Sequence, residues 1–285
     1  KKIALPFFLL TLMLLIVVLI PGIGQKVHGA RRWIEIAGFT IQPAELVKLS
    51  FVLYLATWLE KSAKTWQFLI ISLLLLVLLI AQPDLGTSIV ILSTGGLMYF
   101  FSGAPLLYLA GISITGLVGG LGLILSSGYR RQRLLTFLNP QTDPLGISYH
   151  IRQILLALGS GGLMGVGIGR SRQKYAYLPE ATTDSIFAVI GEEVGFIGAV
   201  VVISLFFTLI YRGFRIARNA PDQFSQLLAG GITSWLGIQT LLNLSSMVAL
   251  VPLTGIPLPF ISYGGSSLVT ALTGVGLLLN ISRQK

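Results

Sequence analysis

The chain has 285 residues, 54% of them hydrophobic and only 11% charged, with a mean hydropathy of +0.84. A water-soluble domain carries about a quarter charged residues, so a soluble enzyme or binding module is excluded. The absence of cysteine excludes disulfide and thiol chemistry, two histidines argue against a zinc site, and a net charge of +10 demands definite places for the surplus cations.

Apolar stretches of bilayer length, about 17 to 25 residues, recur along the chain without the short alternating segments of a β-barrel. The reading is an all-α polytopic integral membrane protein: one transmembrane domain over residues 1–285 with about eight spans. They fall near 4–21, 43–60, 66–82, 85–102, 105–126, 186–210, 224–246 and 262–281. Pro83 and Pro105 break the nearly continuous hydrocarbon between Trp66 and Gly128. Residues 127–185 form one large polar, basic and Gly-rich loop, in which "SYHIRQILLALG" suits an amphipathic helix at the membrane interface. With an even number of spans both termini share a side. The short basic loops "EKSAK" and "YRGFRIARNAPD" put that side in the cytoplasm. Ten cations then face outward, from Lys26, Arg31 and Arg32 through Arg130, Arg131 and Arg133 to Lys174, where the positive-inside rule expects few. An anionic ligand on the outer face accounts for them.

The acidic residues are few, and four of the ten gather in "YLPEATTDSIFAVIGEEVGF". Asp184 there is either a helix N-cap or a functional carboxylate at the membrane border. Glu192 and Glu193 follow inside the span, where an unpaired carboxylate costs about 2.5–3.5 kcal/mol, so they pair with arginines or bind substrate. Glu45 and Lys48 share a helix face as an ion pair, a ligand contact or both. Asp84, in "AQPDLGTS", is a turn and cap residue unless it faces the cavity holding the other charges. The run "LGSGGLMGVGIGRSRQK" lacks the GK[ST] ending and βαβ setting of a phosphate loop, and reads as a flexible or close-packed basic loop. The "GLVGG" of residues 116–120 fits close helix packing. No feature points to nucleic acid.

Four segments in this order, "HGARRWIEIAGFTIQPAELVK", "QPDLGT", "YLPEATTDSIFAVIGEEVGF" and "PLPFISYGGSS", resemble the motifs of the SEDS family, the FtsW/RodA group, and "IQPAELVKLS" is closer to its division branch. The family has ten spans, and the resemblance places the start of this chain at the third. Two departures stand out: Thr182 replaces the histidine of the family's "HTD", and Ser185 replaces a phenylalanine. The resemblance implies a peptidoglycan glycosyltransferase of the cytoplasmic membrane, active on its outer face and at the division septum, that polymerises lipid II into glycan strands. It aligns Asp184 with the family's essential Asp, Glu45 and Lys48 with its polar pair, Asp84 with the Asp of "QPDLGT", and Arg31, Arg32 and Trp33 with its outer-loop motif. It also implies a class B penicillin-binding protein as transpeptidase partner, along with other divisome or elongasome membrane proteins.

The chemistry agrees with that assignment. A sugar hydroxyl needs a base to become a good nucleophile, and Asp184 suits the acceptor GlcNAc 4-hydroxyl. The departing undecaprenyl pyrophosphate gathers negative charge, which Lys48, Arg31, Arg32 and Arg130 suit. A divalent cation (Mg or Mn) on carboxylates such as Glu45 or Asp84 would share that role. The main rival is a lipid II flippase, whose path would use the same buried charges but with repeats or broken helices in matched positions. A silent divisome scaffold leaves the membrane-embedded acids unexplained.

Overall fold

The structure is a computed structural model and describes residues 1–27, 29–36, 38–61, 65–138, 147–173 and 178–284. Lys64, Lys174, His28 and residues 139–146 of the large loop lie outside that set, as does the side chain of Arg130.

Among the described residues, ten helices and three strands follow in the order α1 (Ala4–Val17), β1 (Gly24–Val27), β2 (Ala30–Ile36), β3 (Phe39–Ile41), α2 (Pro43–Lys61), α3 (Thr65–Ala81), α4 (Leu85–Phe101), α5 (Leu106–Leu125), α6 (Gly128–Leu138), α7 (Ile147–Ser160), α8 (Ile186–Arg218), α9 (Gln223–Met247) and α10 (Gly265–Arg283). All eight apolar segments fold as helices, namely α1 to α5 and α8 to α10. Of these α8, α9 and α10 are long and apolar enough to cross a membrane by length and composition, while α1, α3 and α4 are shorter apolar helices.

The all-α expectation is corrected by an antiparallel sheet in the order β1-β2-β3, with Val27 opposite Ala30 and Ile36 opposite Phe39. Gly29 (φ 82) and Gly38 (φ 83) stand in its two tight connections, in the left-handed region that glycine enters without steric cost. The strands are too short and polar to register in a search for spans.

The chain forms two compact units: residues 1–108, 209–238 and 264–285 make the first, and residues 109–208 and 239–263 the second. In the first, α1 packs on α2 through Phe8, stacked 4.7 Å from Tyr54, and through the buried Thr11–Ser50 hydroxyl pair at 2.6 Å. In the second, α7 buries Ile151, Ile154 and Ala157, which recur every third residue along one face. Ile154 and Ala157 join Leu178, Phe187, Ala188, Met247 and Leu258 in a core beneath the start of α8.

Helix α8 is broken at Gly195 (φ 69, ψ −170). A break in hydrocarbon strands backbone groups that water cannot reach, so protein must satisfy them. Here the Gly-rich run does so. Val166 and Gly167 N–H donate to Glu192 and Glu193 O at 3.0 Å, and Phe196 and Ile197 N–H donate to Gly162 and Leu163 O at 2.9 and 3.2 Å. That pairing demands close approach: a Cβ added at Gly161 would overlap the Gly191 carbonyl, and one at Gly165 would overlap that of Glu193. The run is therefore a backbone plug at the break, close-packed at Gly161 and Gly165 while Leu163, Met164 and Ile168 stay exposed.

Gly165→Ala should cost about 2 kcal/mol or more, combining that overlap with a φ of 81 that disfavours alanine, and should lower the melting temperature of the detergent-solubilised protein by more than about 4 °C. Gly116→Ala on α5, where nothing lies within 4 Å of the added carbon, should leave it within about 1 °C.

Candidate active site

Asp184 lies in the second unit, two residues before α8, and is half-buried. Three consecutive carbonyls of its segment accept hydrogen bonds from elsewhere in the same unit. Tyr263 N–H donates to Thr182 O at 2.9 Å, Ser262 Oγ to Thr183 O at 2.6 Å, and Asn243 Nδ2 to Asp184 O at 2.9 Å. Ser262 Oγ also accepts from Leu258 N–H at 2.7 Å. Gly255 (φ 70) passes beside the carboxylate, where an added Cβ would come within 3.3 Å of Asp184 Oδ2. Glu180 (φ 51) and Phe260 (φ 66) hold left-handed backbone in the two segments that are tied together. Strain of this kind persists only where surrounding contacts over-determine it.

The two departures from the family pattern part company. Thr182 is exposed, whereas Ser185 is fully buried and its Oγ lies 2.8 Å from His150 Nε2 on α7. A buried hydroxyl without a partner is costly, and an imidazole supplies one where an aromatic side chain would need none. Burial, and then the Arg133 guanidinium, pull the His150 pKa below its usual value, partly opposed by Glu180 and the Pro179 carbonyl.

Glu192 and Glu193 serve the loop before the site. Glu192 is 2% exposed, and its carboxylate accepts from Ser171 Oγ at 2.5 Å, Arg172 N–H at 3.0 Å and Gln173 N–H at 3.4 Å. Glu193 Oε1 accepts from Ser171 N–H at 3.3 Å. A hydroxyl and two backbone amides rather than arginine head groups satisfy the buried Glu192 carboxylate, an economical way to keep a charge out of water.

Apart from Arg130, which belongs to the second unit, the other candidates lie in the first. Glu45 Oε1 and Lys48 Nζ pair at 2.7 Å with both side chains 2% exposed, and the ammonium stands 5.5 Å from the centre of the Trp235 ring. Glu45 Oε2 is buried and takes no hydrogen bond among the described residues. Asp84 is the N-cap of α4: Oδ1 accepts from Thr87 N–H at 3.1 Å and Oδ2 from Thr87 Oγ1 at 2.9 Å, with Gln42 Nε2 at 3.4 Å. Arg32 clamps the same turn, donating to Gln82 O at 3.0 Å and to Pro83 O. Arg31 reaches Leu19 O at 3.5 Å, and Trp33 is half-buried in β2 opposite Gln25. Among the described residues no three His, Asp or Glu side chains converge as metal ligands.

The family model for cell cycle proteins named for FtsW, RodA and SpoVE matches residues 1–285. The chain belongs to the FtsW/RodA/SpoVE family. Within it, stage V sporulation protein E of Bacillus subtilis (strain 168) is 45% identical over 95% of this chain and 76% of its own length. A probable peptidoglycan glycosyltransferase FtsW from Trichlorobacter lovleyi is 42% identical over 99% of this chain and 76% of its own. Among solved structures, one described as a peptidoglycan synthase complex that coordinates polymerization and crosslinking contains a chain similar at a TM-score of 0.81 and 33% identity, with 99% of this chain and 81% of that one covered. The rod shape determining protein RodA of Thermus thermophilus gives 0.70 at 33% identity, with 99% and 78% covered.

Sequence reasoning left Asn243, Gly255, Ser262 and His150 without roles. The signal for Asn243 was a lone amide in the apolar run "LLNLSS", since polar residues within spans are costly and kept for a reason.

Two outcomes follow. Glu192→Leu should destabilise the protein by about 2–4 kcal/mol through its stranded loop donors and open residues 171–173 to limited proteolysis. A carboxylate that served substrate alone would instead raise KM at unchanged stability. For His150, protons bind the unfolded state more readily than the folded one, so stability is complete above the unfolded pKa near 6.5 and declines as pH falls below it. Urea titrations at pH 7.5 and 5.5 should therefore show a larger loss for wild type than for His150→Gln.

Proposed function

We propose that this protein polymerises lipid II into glycan strands at the outer face of the cytoplasmic membrane, with Asp184 as general base. Membership of the family and the names of its relatives make it a peptidoglycan glycosyltransferase. The observation that carries the assignment of the base is Asp184 itself: a half-buried carboxylate whose backbone is held by donors from two other segments of its unit. Such fixing is what proton transfer in a transition state requires.

In this mechanism the acceptor GlcNAc 4-oxygen attacks the donor anomeric carbon while the Asp184 carboxylate takes the hydroxyl proton. The bond from that carbon to the diphosphate breaks, and undecaprenyl pyrophosphate leaves with the bonding electrons. Displacement from the opposite face turns an α-linked donor into a β-linked glycan. On the first unit, Lys48, Arg31 and Arg32 are proposed as cations that contact the lipid II diphosphate, with Glu45 and Trp33 beside them. Arg130 is proposed for the same part on the second. Asp84 contributes by holding the turn that Arg32 clamps, and Glu192 and Glu193 by holding the loop before Asp184. A divalent cation does not fit this set well, because Asp84 commits both oxygens to the α4 cap and Glu45 shares its carboxylate with Lys48. No step is routed through one.

The proposal extends to topology: α1 to α5 and α8 to α10 as eight spans, and residues 127–185 as the extracytoplasmic loop. It extends to a class B penicillin-binding protein as partner, in line with a structural relative solved within a synthase complex, and to a septal place of work.

Lipid II translocation is the second reading, and the break in α8 favours it, because discontinuous helices recur in transporters. In transporters the freed backbone ends hold substrate or ions. Here Glu192 O, Glu193 O, Phe196 N–H and Ile197 N–H are all taken by the Gly-rich plug, which weighs for polymerisation.

Asp184→Asn should abolish glycan formation from purified lipid II, with a fall of at least about 10²-fold, while leaving the melting temperature unchanged. Wild-type activity in that variant would remove Asp184 as the base. Vesicles that move lipid II across the bilayer without chain growth would favour the transporter.

A further inference from the structure

Residues Thr182 to Ser185 are held one by one: by Tyr263 N–H, Ser262 Oγ, Asn243 Nδ2 and His150 Nε2. Asn243 differs from the others in holding two segments at once. Its amide nitrogen donates to Asp184 O at 2.9 Å and to Ile256 O at 2.8 Å. Both partners are carbonyls, so the end that faces them is the NH2, and both of its protons are spent. Rotating the side chain would break both bonds together.

Ile256 follows Gly255, the residue that passes beside Asp184 Oδ2. One buried amide therefore ties the carboxylate's own backbone to the backbone alongside it. Gly255 lacks the Cβ that would crowd the carboxylate, and its φ of 70 suits glycine. The opposite end of the amide is less well served. Asn243 Oδ1 is buried and takes no hydrogen bond among the described residues. An orphan acceptor is a cost, and here the two carbonyls that the NH2 end satisfies offset it. Asn243 is kept for its donors.

Resting on the reading of Asp184 as the base, we propose that Asn243 is its positioning residue. By bridging Asp184 O and Ile256 O it sets the direction of the carboxylate and the clearance on the side of Gly255. It need touch neither sugar. Displacements on the order of 1 Å at a reacting group cost about 10²-fold in rate, which sets the size of the expected effect.

The test uses purified full-length protein on purified lipid II, comparing wild type, Asn243→Ala, Asn243→Gln and Asp184→Asn. Asn243→Ala should lower kcat by about 30- to 300-fold with KM for lipid II within about threefold, and should shift the acid limb of the kcat pH profile. Asn243→Gln, which keeps the donor, should recover at least about tenfold of that loss. A folded Asn243→Ala with kcat and pH profile near wild type overturns the proposal, as does a loss confined to KM. If Asn243→Ala does not fold, Asn243→Gln decides: a folded variant must show lowered kcat with an altered acid limb, and failure of both to fold makes the residue structural and ends the proposal. Asp184→Asn separates the two levels. Activity in that variant removes the base and this inference together, whereas an inactive Asp184→Asn beside a normal Asn243→Ala removes only this inference.

Discussion

In hydrocarbon no water completes an unfinished hydrogen bond, so every backbone group freed by a turn or break has to find a partner within the protein. Three described departures from helix show protein groups filling that need. At the break in α8 the Gly-rich run supplies two donors and two acceptors. At the turn before α4 the carbonyls of Gln82 and Pro83 go to the Arg32 guanidinium, and the first amides of the helix to Asp84. In the segment before α8, three successive carbonyls go to Tyr263, Ser262 and Asn243. Arg32 and Asp84, which the sequence offers as binding groups, also hold irregular backbone in place.

The same economy governs the buried charges. Glu45 and Lys48 neutralise one another on adjacent turns of α2, with the Trp235 ring beside the ammonium. Removing one partner would leave an uncompensated ion, which costs far more than the pair itself contributes. Glu192 takes another route, spreading its charge over a hydroxyl and two backbone amides. Asp184 is the acid whose main-chain carbonyl, beside the carboxylate, carries a bond from a distant helix. That difference separates it from carboxylates that only hold loops.

The helices were legible in the sequence because hydrophobic length is a coarse quantity that survives errors of a few residues at each end. The amphipathic α7 was legible for the same reason, as a period of three to four with polar residues between. The sheet was not, since its strands are short and Arg31, Arg32 and Glu35 interrupt any apolar alternation. At the site, Asp184 stood out by charge and by motif. The groups that fix its segment are neutral, Asn243 lying 59 residues beyond Asp184 and Ser262 79 beyond Thr183, where neither spacing nor charge announces them. Glu192 was conspicuous for its sign, but its partners are one hydroxyl and two backbone amides, and amide hydrogens, which every residue but proline has, are not revealed by composition.

The contact between Ser185 and His150 carries a consequence for how such chains diverge. A phenylalanine at 185 would fill the pocket with hydrocarbon and leave the ring nitrogen of residue 150 with nothing to bind, while a serine opposite an apolar residue 150 would bury an idle hydroxyl. Neither half-step is comfortable. A chain grafted with only one of the two from a cousin would inherit that mismatch.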